Sequence, residues 1–361
     1  MNELGLAIGE LDTPFLWVDL DQLAANIASL AAYFRAAGVA WRPHTKGIKT
    51  PEIARQAIAA GALGVTCAKL GEAEVMADAG IGDILIANQV VGPVKSARLA
   101  ALCRRAGVKV AVDNPDNVRA LGAAASAAGV EIGVLVEVEL GMGRAGVAPA
   151  AAPGLARLVH ETPGLRYLGV MGWEGHTVGM ADPAAKRAAV AHCLELLGES
   201  AAACRRAGLP VTIVSGGGSG DYTISAHQGV LTEIQAGGAI FCDATYQAWG
   251  ALTRPSLFVR TAVTSRPAPD RIITDAGFKA LPMWTRPPLP VGLPPAQPYR
   301  TSAEHGTLIL DAPDATIQVG DGLDFIVGYG DATVFLHDRL YGVRRGTVEA
   351  VWDVAGRGKL R

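Results

Sequence analysis

The side chains most able to do chemistry stand close together in the segment W-R-P-H-T-K-G-I-K-T, residues 41–50 of the 361-residue sequence. His44, Lys46 and Lys49 follow an apolar run that is predicted to be a buried strand ending near Pro43. A lysine amine partly removed from water at a strand end can act as a nucleophile and form a Schiff base with an aldehyde or ketone. A surface salt bridge is the alternative role for Lys46, and Lys49 falls in the following loop.

Two glycine-rich segments further along the chain have the composition of an anion-binding site. S-G-G-G-S-G covers residues 215–220, and Q-A-G-G covers residues 235–238. Successive glycines let backbone N–H groups converge on an anion, although one such segment alone is more often a tight turn. A phosphate site and a carbonyl-binding lysine together indicate pyridoxal 5′-phosphate, which stabilises carbanions on amino acids. The residues predicted to bind the phosphate are Gly217, Gly218, Ser219, Gly220, Gly237 and Gly238.

Short β-branched runs alternate with helical runs over most of the chain, and this alternation positions the reactive segments. The eight candidate strands are Val39–Pro43, Gly64–Ala68, Ile84–Gln89, Lys109–Asp113, Ile132–Glu139, Tyr167–Trp173, Thr212–Ser215 and Thr232–Gln235. Eight such units in roughly 250 residues predict an α/β fold, a (β/α)8 TIM-type barrel, which we assign to residues 21–247. Active sites of such barrels lie at the carboxyl ends of the strands, with phosphate at the loops after strands seven and eight. Lys46 and both glycine-rich segments fall at these positions.

After Tyr246 the helical period disappears, and the sequence predicts a second, mainly β domain. The strand-like Thr13–Leu20 precedes the barrel and is predicted to join the same sheet, so this domain comprises residues 1–20 and 248–361. The proline-rich segment 286–298 is predicted to be a surface loop. The other candidate strands are Leu257–Thr264, Ile272–Asp275, Gly306–Leu310 and Phe325–Val327.

Composition argues against several classes of partner. The chain is 50% apolar with a formal net charge of −2, and it has no basic run interleaved with aromatics. We therefore expect a small-molecule substrate rather than nucleic acid or a membrane surface. The absence of a leader or an apolar stretch of bilayer length predicts a cytoplasmic protein. The five cysteines are scattered without C-x-x-C spacing, which predicts reduced thiols.

Several stretches resemble one family of known enzymes. The stretches are T-P-F-L-W-V-D-L-D near the start, R-P-H-T-K around Lys46, C-A-K-L-G-E-A-E-V-M from Cys67, I-L-I-A-N-Q-V-V-G-P from Ile84, E-L-G-M-G-R-A-G from Glu139, G-W-E-G-H from Gly172, S-G-G-G-S-G from Ser215, D-A-G-F-K-A-L from Asp275 and E-H-G from Glu304. Together they span nearly the whole chain and are similar to the fold type III pyridoxal-phosphate enzymes of the D-threonine aldolase, D-serine dehydratase and 3-hydroxyaspartate aldolase group, whose N-terminal domain is of the alanine racemase type.

The resemblance implies roles for individual residues. In the specific P-H-x-K motif, Lys46 is the Schiff-base lysine and His44 a cofactor-binding residue. Arg144 resembles the arginine that lies near the coenzyme ring in this superfamily. Trp173 stands where relatives place an aromatic beside the ring, and a packed core tryptophan is the alternative. His305, in E-H-G, is implied to be catalytic.

One motif departs from the family. Its aldolases and dehydratases carry a divalent-metal site of the form P-x-H-x-[DC]-x-T, and the matching stretch here is V-G-Y-G-D-A-T, residues 327–333. Asp331 remains, but Tyr329 replaces the histidine, and a phenol with an ordinary pKa of ~10 stays protonated and ligates metals poorly. Two alternatives follow: Asp331 and water hold Mg²⁺ or Mn²⁺ weakly, or Tyr329 is itself the acid/base.

The resemblance implies a pyridoxal phosphate-dependent lyase, D-threonine aldolase-like, that cleaves a β-hydroxy-D-amino acid by a retro-aldol reaction into glycine, or a related amino acid, and an aldehyde. A D-serine-type dehydratase is one alternative. An amino-acid racemase that uses Lys46 and Tyr329 as its two bases is another, and the long β domain argues against a non-catalytic cofactor-binding protein. A homodimer is also implied, because family members complete each active site with a second chain.

Overall fold

The computed structural model describes residues 3–361, and the chain forms two compact units. The barrel unit contains Ala31–Lys46, Ile53–Gly237 and Lys359–Arg361. The β unit contains the described residues up to Leu30, together with Gly47–Glu52 and Gly238–Gly358. The domain boundaries at residues 20 and 247 stay predictions.

The secondary structure alternates between strands and helices through the barrel unit and is mostly strand in the β unit. The strands are β1 Phe15–Asp19, β2 Ala40–Trp41, β3 Val65–Cys67, β4 Asp83–Gln89, β5 Gly107–Val112, β6 Ile132–Val138, β7 Leu165–Gly172, β8 Ile213–Gly216, β9 Glu233–Ile234, β10 Leu257–Ala268, β11 Arg271–Thr274, β12 Leu289–Pro290, β13 Arg300–Thr301, β14 Gly306–Ile309, β15 Gly322–Ile326, β16 Arg339–Arg344 and β17 Thr347–Asp353. The helices are α1 Leu20–Ala37, α2 Pro51–Ala59, α3 Leu70–Asp78, α4 Pro93–Leu102, α5 Pro115–Ala128, α6 Ala152–Glu161, α7 Pro183–Arg206, α8 Tyr222–Ser225, α9 Ala244–Ala248 and α10 Gly330–Thr333.

The barrel unit is built from eight parallel strands, which confirms the predicted α/β barrel. Their order around the sheet is β2-β9-β8-β7-β6-β5-β4-β3, and an isolated parallel bridge between His44 and Thr66 links the two ends. All seven residues of β6 are buried, as expected for a parallel strand covered on both faces. Alternate residues of successive strands form a separate apolar cluster inside the barrel, and the others pack against the helices. The cluster contains Leu85, Ala111, Leu135, Leu168 and Met171.

Local capping fixes where the barrel helices begin and end. Asn114 accepts hydrogen bonds from the backbone N–H groups of Asp116 and Asn117, Pro115 starts α5, and Gly129 ends it in the left-handed conformation. Within residues 3–361, every helix is too short or too polar to cross a bilayer, and none of the five cysteines forms a disulfide.

The β unit has a nine-stranded sheet in which the chain start and the C-terminal strands are combined. β1 pairs antiparallel with β10 and parallel with β16, so the prediction that Thr13–Leu20 joins this sheet is confirmed. The prediction that segment 286–298 is only a loop is wrong at β12, which pairs antiparallel with β15. The strand occurs there because it lies at the edge of the sheet, where a proline can be accommodated without removing a ladder hydrogen bond.

A buried arginine joins the first barrel strand to strands on either side. Arg42 is 1% exposed, and its guanidinium donates to Glu233, at the start of β9, at 2.9 Å and to Asp83, at the start of β4. Lys109 of β5 also donates to Asp83, at 2.8 Å. Burial opposes ionisation of Asp83, but the charges and hydrogen bonds of Arg42 and Lys109 hold its pKa below the usual value. The ion pairs therefore add to the backbone bonds that hold β2, a strand of only two residues.

Arg42→Leu removes the guanidinium but keeps apolar bulk, and it leaves Glu233 buried without its cationic partner. We expect a loss of about 3–5 kcal/mol in the free energy of unfolding, measured by denaturant titration. The control is Arg119→Leu, which breaks an exposed pair with Asp116 at 2.8 Å and should cost less than about 1 kcal/mol. Equal small losses in both variants would contradict a role for Arg42 in holding the barrel.

Candidate active site

Lys46 lies in a short 3-10 turn, Thr45–Gly47, at the carboxyl end of the first barrel strand. Its backbone N–H donates to Nδ1 of His44 at 3.3 Å, and its side chain is half-buried. The hydroxyl of the buried Thr45 donates to Glu72 at 2.9 Å and contacts the carbonyl of Thr66 at 3.0 Å. These bonds fix the backbone of the turn, so the structure places Lys46 at the end of the barrel that the sequence predicted.

The glycine loop, residues 215–220, starts in the last two residues of β8, the seventh strand of the barrel, and continues past its end. Gly217 has φ +64°, and a Cβ there would come within 2.9 Å of the Ser225 hydroxyl. A Cβ on Gly218 would overlap the six-membered ring of Trp173, and Ser219 is buried. Only glycine therefore fits at both positions, and Trp173 covers the loop rather than packing in an unrelated core.

The second glycine pair follows β9, the eighth strand. A Cβ on Gly237 would overlap the backbone of His44, so this loop lies directly against the P-H-x-K segment within the barrel unit. A Cβ on Gly238 would overlap the ring of Tyr246, which belongs with it to the β unit. Gly237 is therefore required by the close approach of the His44 backbone, and its role in phosphate binding stays a prediction.

Polar side chains missed by the sequence analysis lie at the ends of neighbouring barrel strands. Gln89, the last residue of β4, donates to the buried carboxyl of Glu137 on β6 at 2.5 Å, and Arg144 is 3.6 Å from the same carboxyl. Burial raises the pKa of Glu137, and the bonds from Gln89 and Arg144 partly oppose that rise. Gln235, just after β9, donates to the hydroxyl of Ser215 at 3.0 Å. The sequence pattern that could have identified these residues is a polar side chain at the end of an otherwise apolar strand.

These residues fit pyridoxal phosphate. The glycine loop lies at the carboxyl end of the seventh strand, in the same unit as the strand-end Lys46, and backbone N–H groups of such a loop can bind an anion. At the carboxyl ends of the barrel strands, Arg144 supplies a positive charge, Glu137 a carboxyl group and Gln235 an amide.

A cluster of phenols and carboxyl groups surrounds Tyr329 in the β unit. The Tyr329 hydroxyl donates to Asp331 Oδ2 at 2.9 Å, and the buried Tyr246 hydroxyl is hydrogen-bonded to Tyr329. Burial and the neighbouring charge of Asp331 raise the pKa of Tyr329 far above the usual value of a phenol. Asp243 accepts backbone N–H bonds from Gly330 at 2.6 Å and Tyr246 at 2.9 Å, and burial raises its pKa to about 8. The result is a proton-holding chain from Tyr246 through Tyr329 to Asp331.

The rings of Tyr246, Trp249 and Trp284 pack around the ring of Tyr329, with centroid distances of 5.7, 6.1 and 5.9 Å. Trp284 is 75% exposed despite this contact. A Cβ on Gly47 would overlap the Asp331 carboxylate, so the residue that follows Lys46 in the chain must be small for Asp331 to stay in place. Sequence reasoning identified Tyr329 and Asp331 but missed Tyr246, whose partners come from distant segments.

The residues at the family's metal position do not fit a divalent metal. Tyr329 is protonated, so its phenol is not an anionic metal ligand. Its hydroxyl also donates a hydrogen bond to Asp331 Oδ2, and this bond occupies one of the two carboxylate oxygens that could bind a metal. Across residues 3–361, no three His, Cys, Asp or Glu side chains are grouped as metal ligands. His305 is exposed in the turn between β13 and β14, where its carbonyl accepts from the Ser302 N–H at 2.9 Å. Its catalytic role stays a prediction.

Comparisons with known proteins cover both units. Residues 18–245 match the family model of the alanine racemase N-terminal domain, and residues 256–343 match that of a putative serine dehydratase domain. The chain is 37% identical to D-threonine aldolase from an Arthrobacter species, over 99% of this chain and 96% of that protein. It is 35% identical to 3-hydroxy-D-aspartate aldolase from Paracoccus denitrificans, over 98% and 94%. The crystal structure of D-threonine aldolase from Filomicrobium marinum has a TM-score of 0.96 at 37% identity, covering 99% of this chain and 98% of that one.

Proposed function

Because the chain belongs to the fold type III pyridoxal-phosphate family, with an alanine racemase-type N-terminal domain and a serine dehydratase-like second domain, we propose that it is a lyase that cleaves β-hydroxy-D-amino acids by a retro-aldol reaction. The observation that carries this proposal is the match to a D-threonine aldolase along almost the whole chain. Strand-end Lys46 and the glycine loop support it independently, because they provide the two contacts that the coenzyme needs. The products are an amino acid, such as glycine, and an aldehyde.

The barrel unit is proposed to hold the coenzyme. Pyridoxal phosphate, when bound, supplies an electron sink for the negative charge left on Cα as the Cα–Cβ bond breaks. Lys46 would hold its aldehyde carbon covalently, and the glycine loop would bind its phosphate through the Ser219 hydroxyl and backbone N–H groups other than that of Gly218, which donates to Asp221. Trp173 packs over the loop and excludes water from it, and Arg144 supplies positive charge at the strand ends.

Tyr329 and Asp331 are proposed to take the proton of the substrate's β-hydroxyl. As that hydroxyl loses its proton to the Tyr329 oxygen, Tyr329 passes its own proton to Asp331 Oδ2 through the existing 2.9 Å hydrogen bond. The Tyr246 hydroxyl, bonded to the same phenol, fixes the orientation of its lone pairs. This proton route uses Tyr329 and Asp331, the residues that this chain has at the position of the family's metal site.

The homodimer, the cytoplasmic location and the absence of nucleic-acid and membrane partners remain proposals. The dimer is supported by the family resemblance, because relatives complete each active site with a second chain. The proposed substrate is a small amino acid, in keeping with the near-neutral chain.

The proposed reaction is tested by incubating the purified holoenzyme with the D- and L-forms of threonine, phenylserine, serine and 3-hydroxyaspartate. We expect an aldehyde or glyoxylate, together with glycine, from D-substrates only. A 2-keto acid and ammonia as the main products would instead identify a dehydratase, and appearance of the opposite enantiomer would identify a racemase.

Lys46 is expected to carry the coenzyme, because it is the lysine at the strand end beside the glycine loops. Borohydride should fix the coenzyme on one peptide, and mass spectrometry should find it on Lys46. Lys46→Ala should abolish the yellow absorbance of the bound coenzyme, and Lys95→Ala, a helix variant distant in sequence, should keep it. Attachment at Lys49 or Lys69 would sink the assignment.

Tyr329→Phe removes only the phenol oxygen, so it separates proton transfer from ring packing. We expect kcat to fall by ~10²- to 10⁴-fold, with activity of the wild type unaffected by EDTA. Tyr341→Phe is the matched control, because the Tyr341 hydroxyl also donates to a carboxylate in the β unit, that of Glu3 at 2.9 Å. A fully active Tyr329→Phe variant that EDTA inactivates would show that Asp331 anchors a working metal instead.

A further inference from the structure

Two fully buried carboxyl groups lie behind the glycine loop in the barrel unit. Glu174 follows Trp173 just after β7, and Asp221 directly follows the loop; they are 0% and 1% exposed. Asp221 Oδ1 accepts from the N–H of Gly218 at 2.7 Å. Within residues 3–361, no donor reaches either oxygen of Glu174 or Asp221 Oδ2 with good hydrogen-bond geometry. The two side chains are close enough to bond to each other, and two carboxyls can do so only if one is protonated.

The loop is also tied to α7. Lys186, which is 8% exposed, donates from Nζ to the carbonyl of Gly220 at 2.6 Å, and its charge faces Asp221. The loop is therefore held at Gly218 by Asp221, at Gly220 by Lys186 and from above by the Trp173 ring.

The position of the proton follows from the surroundings of the pair. Burial and the Asp221 carboxyl raise the pKa of Glu174 well above its usual range. Burial raises the pKa of Asp221 too, but the bonds from Glu174 and Gly218 and the charge of Lys186 oppose that rise. The Gly218 N–H, 2.7 Å from Asp221 Oδ1, and the charge of Lys186 both favour an ionised Asp221, so we assign the shared proton to Glu174, whose oxygens accept no bond of good geometry. The other titratable groups near the pair are Cys193, His176 and Glu139, with Cys193 Sγ 3.9 Å from His176 Nε2.

We propose that neutral Glu174 is a positioning residue that, through its hydrogen bond to Asp221, holds the glycine loop in the conformation that binds the phosphate of the coenzyme. The inference rests on the proposed function, because it takes the loop as the phosphate site. One proton on the pair leaves a single negative charge, balanced by Lys186. Loss of that proton places a second negative charge behind a loop that must receive a phosphate dianion, so coenzyme affinity falls as the pair ionises.

The test compares Glu174→Gln, Glu174→Ala and a surface control, Glu131→Gln, for pyridoxal phosphate affinity of the apoprotein between about pH 6 and pH 10. The amide of Gln donates the same hydrogen bond without a titratable proton. We expect Glu174→Gln to bind pyridoxal phosphate with the affinity of wild type near pH 6 and about tenfold more tightly than wild type near pH 10. Glu174→Ala, which lacks the donor, should bind at least about tenfold more weakly throughout.

Thermal unfolding of the apoproteins over the same pH range gives a readout independent of the coenzyme. A group whose folded-state pKa is raised contributes stability that is lost as pH rises, so wild type should lose stability towards high pH relative to Glu174→Gln. This comparison also stands if Glu174→Ala does not fold. The inference would be overturned if Glu174→Gln bound pyridoxal phosphate as weakly as Glu174→Ala. It would also be overturned if coenzyme affinity and thermal stability both changed with pH in the same way in wild type and in Glu174→Gln. Failure of wild type to bind pyridoxal phosphate would instead refute the proposed function.

Discussion

The buried charge of Arg42 is the constraint on which the position of Lys46 depends. Strand β2 is only two residues long, although backbone bonds continue past it at Arg42 and Pro43, and the chain turns into the lysine segment only four residues after Arg42. A guanidinium inside a barrel must have anionic partners, and Glu233 and Asp83 provide them from strands on both sides. Any slip of β2 would separate these charges, so the ion pairs select the register that brings the nucleophile to the carboxyl end of the barrel.

The glycine loop shows how one strand end can organise a binding site from two directions. Trp173 and Glu174 are consecutive residues just after β7. The ring covers Gly218, whereas the carboxyl lies behind the loop with Asp221. A loop with three successive glycines has high conformational freedom when unfolded, and these contacts, with Lys186, offset the cost of fixing it. The loop can therefore be flexible in the unfolded chain and still be held in one conformation in the folded protein.

The sequence predicted the barrel, the addition of an N-terminal strand to the β sheet, and the strand-end position of Lys46, because all three follow from periodicity and order along the chain. It missed the Glu137–Gln89 and Glu174–Asp221 contacts, because the protonation state and role of a buried carboxyl depend on groups that are far away in sequence. It also missed β12, because proline content argues against a strand and only the edge position in the sheet permits one. Tyr329 was identified as a departure from a motif, but its bond to Tyr246 required the fold.

The central place of β1 in its sheet has a consequence for biosynthesis. Barrel strands such as β4, β5 and β6 pair with neighbours made just before or after them, so they can assemble as the chain leaves the ribosome. β1 is made before all of them, yet both of its partners, β10 and β16, are made after the barrel is complete. β1 therefore cannot complete its sheet pairing until strands near the other end of the chain have been made, and such non-local pairing is the slow kind in folding.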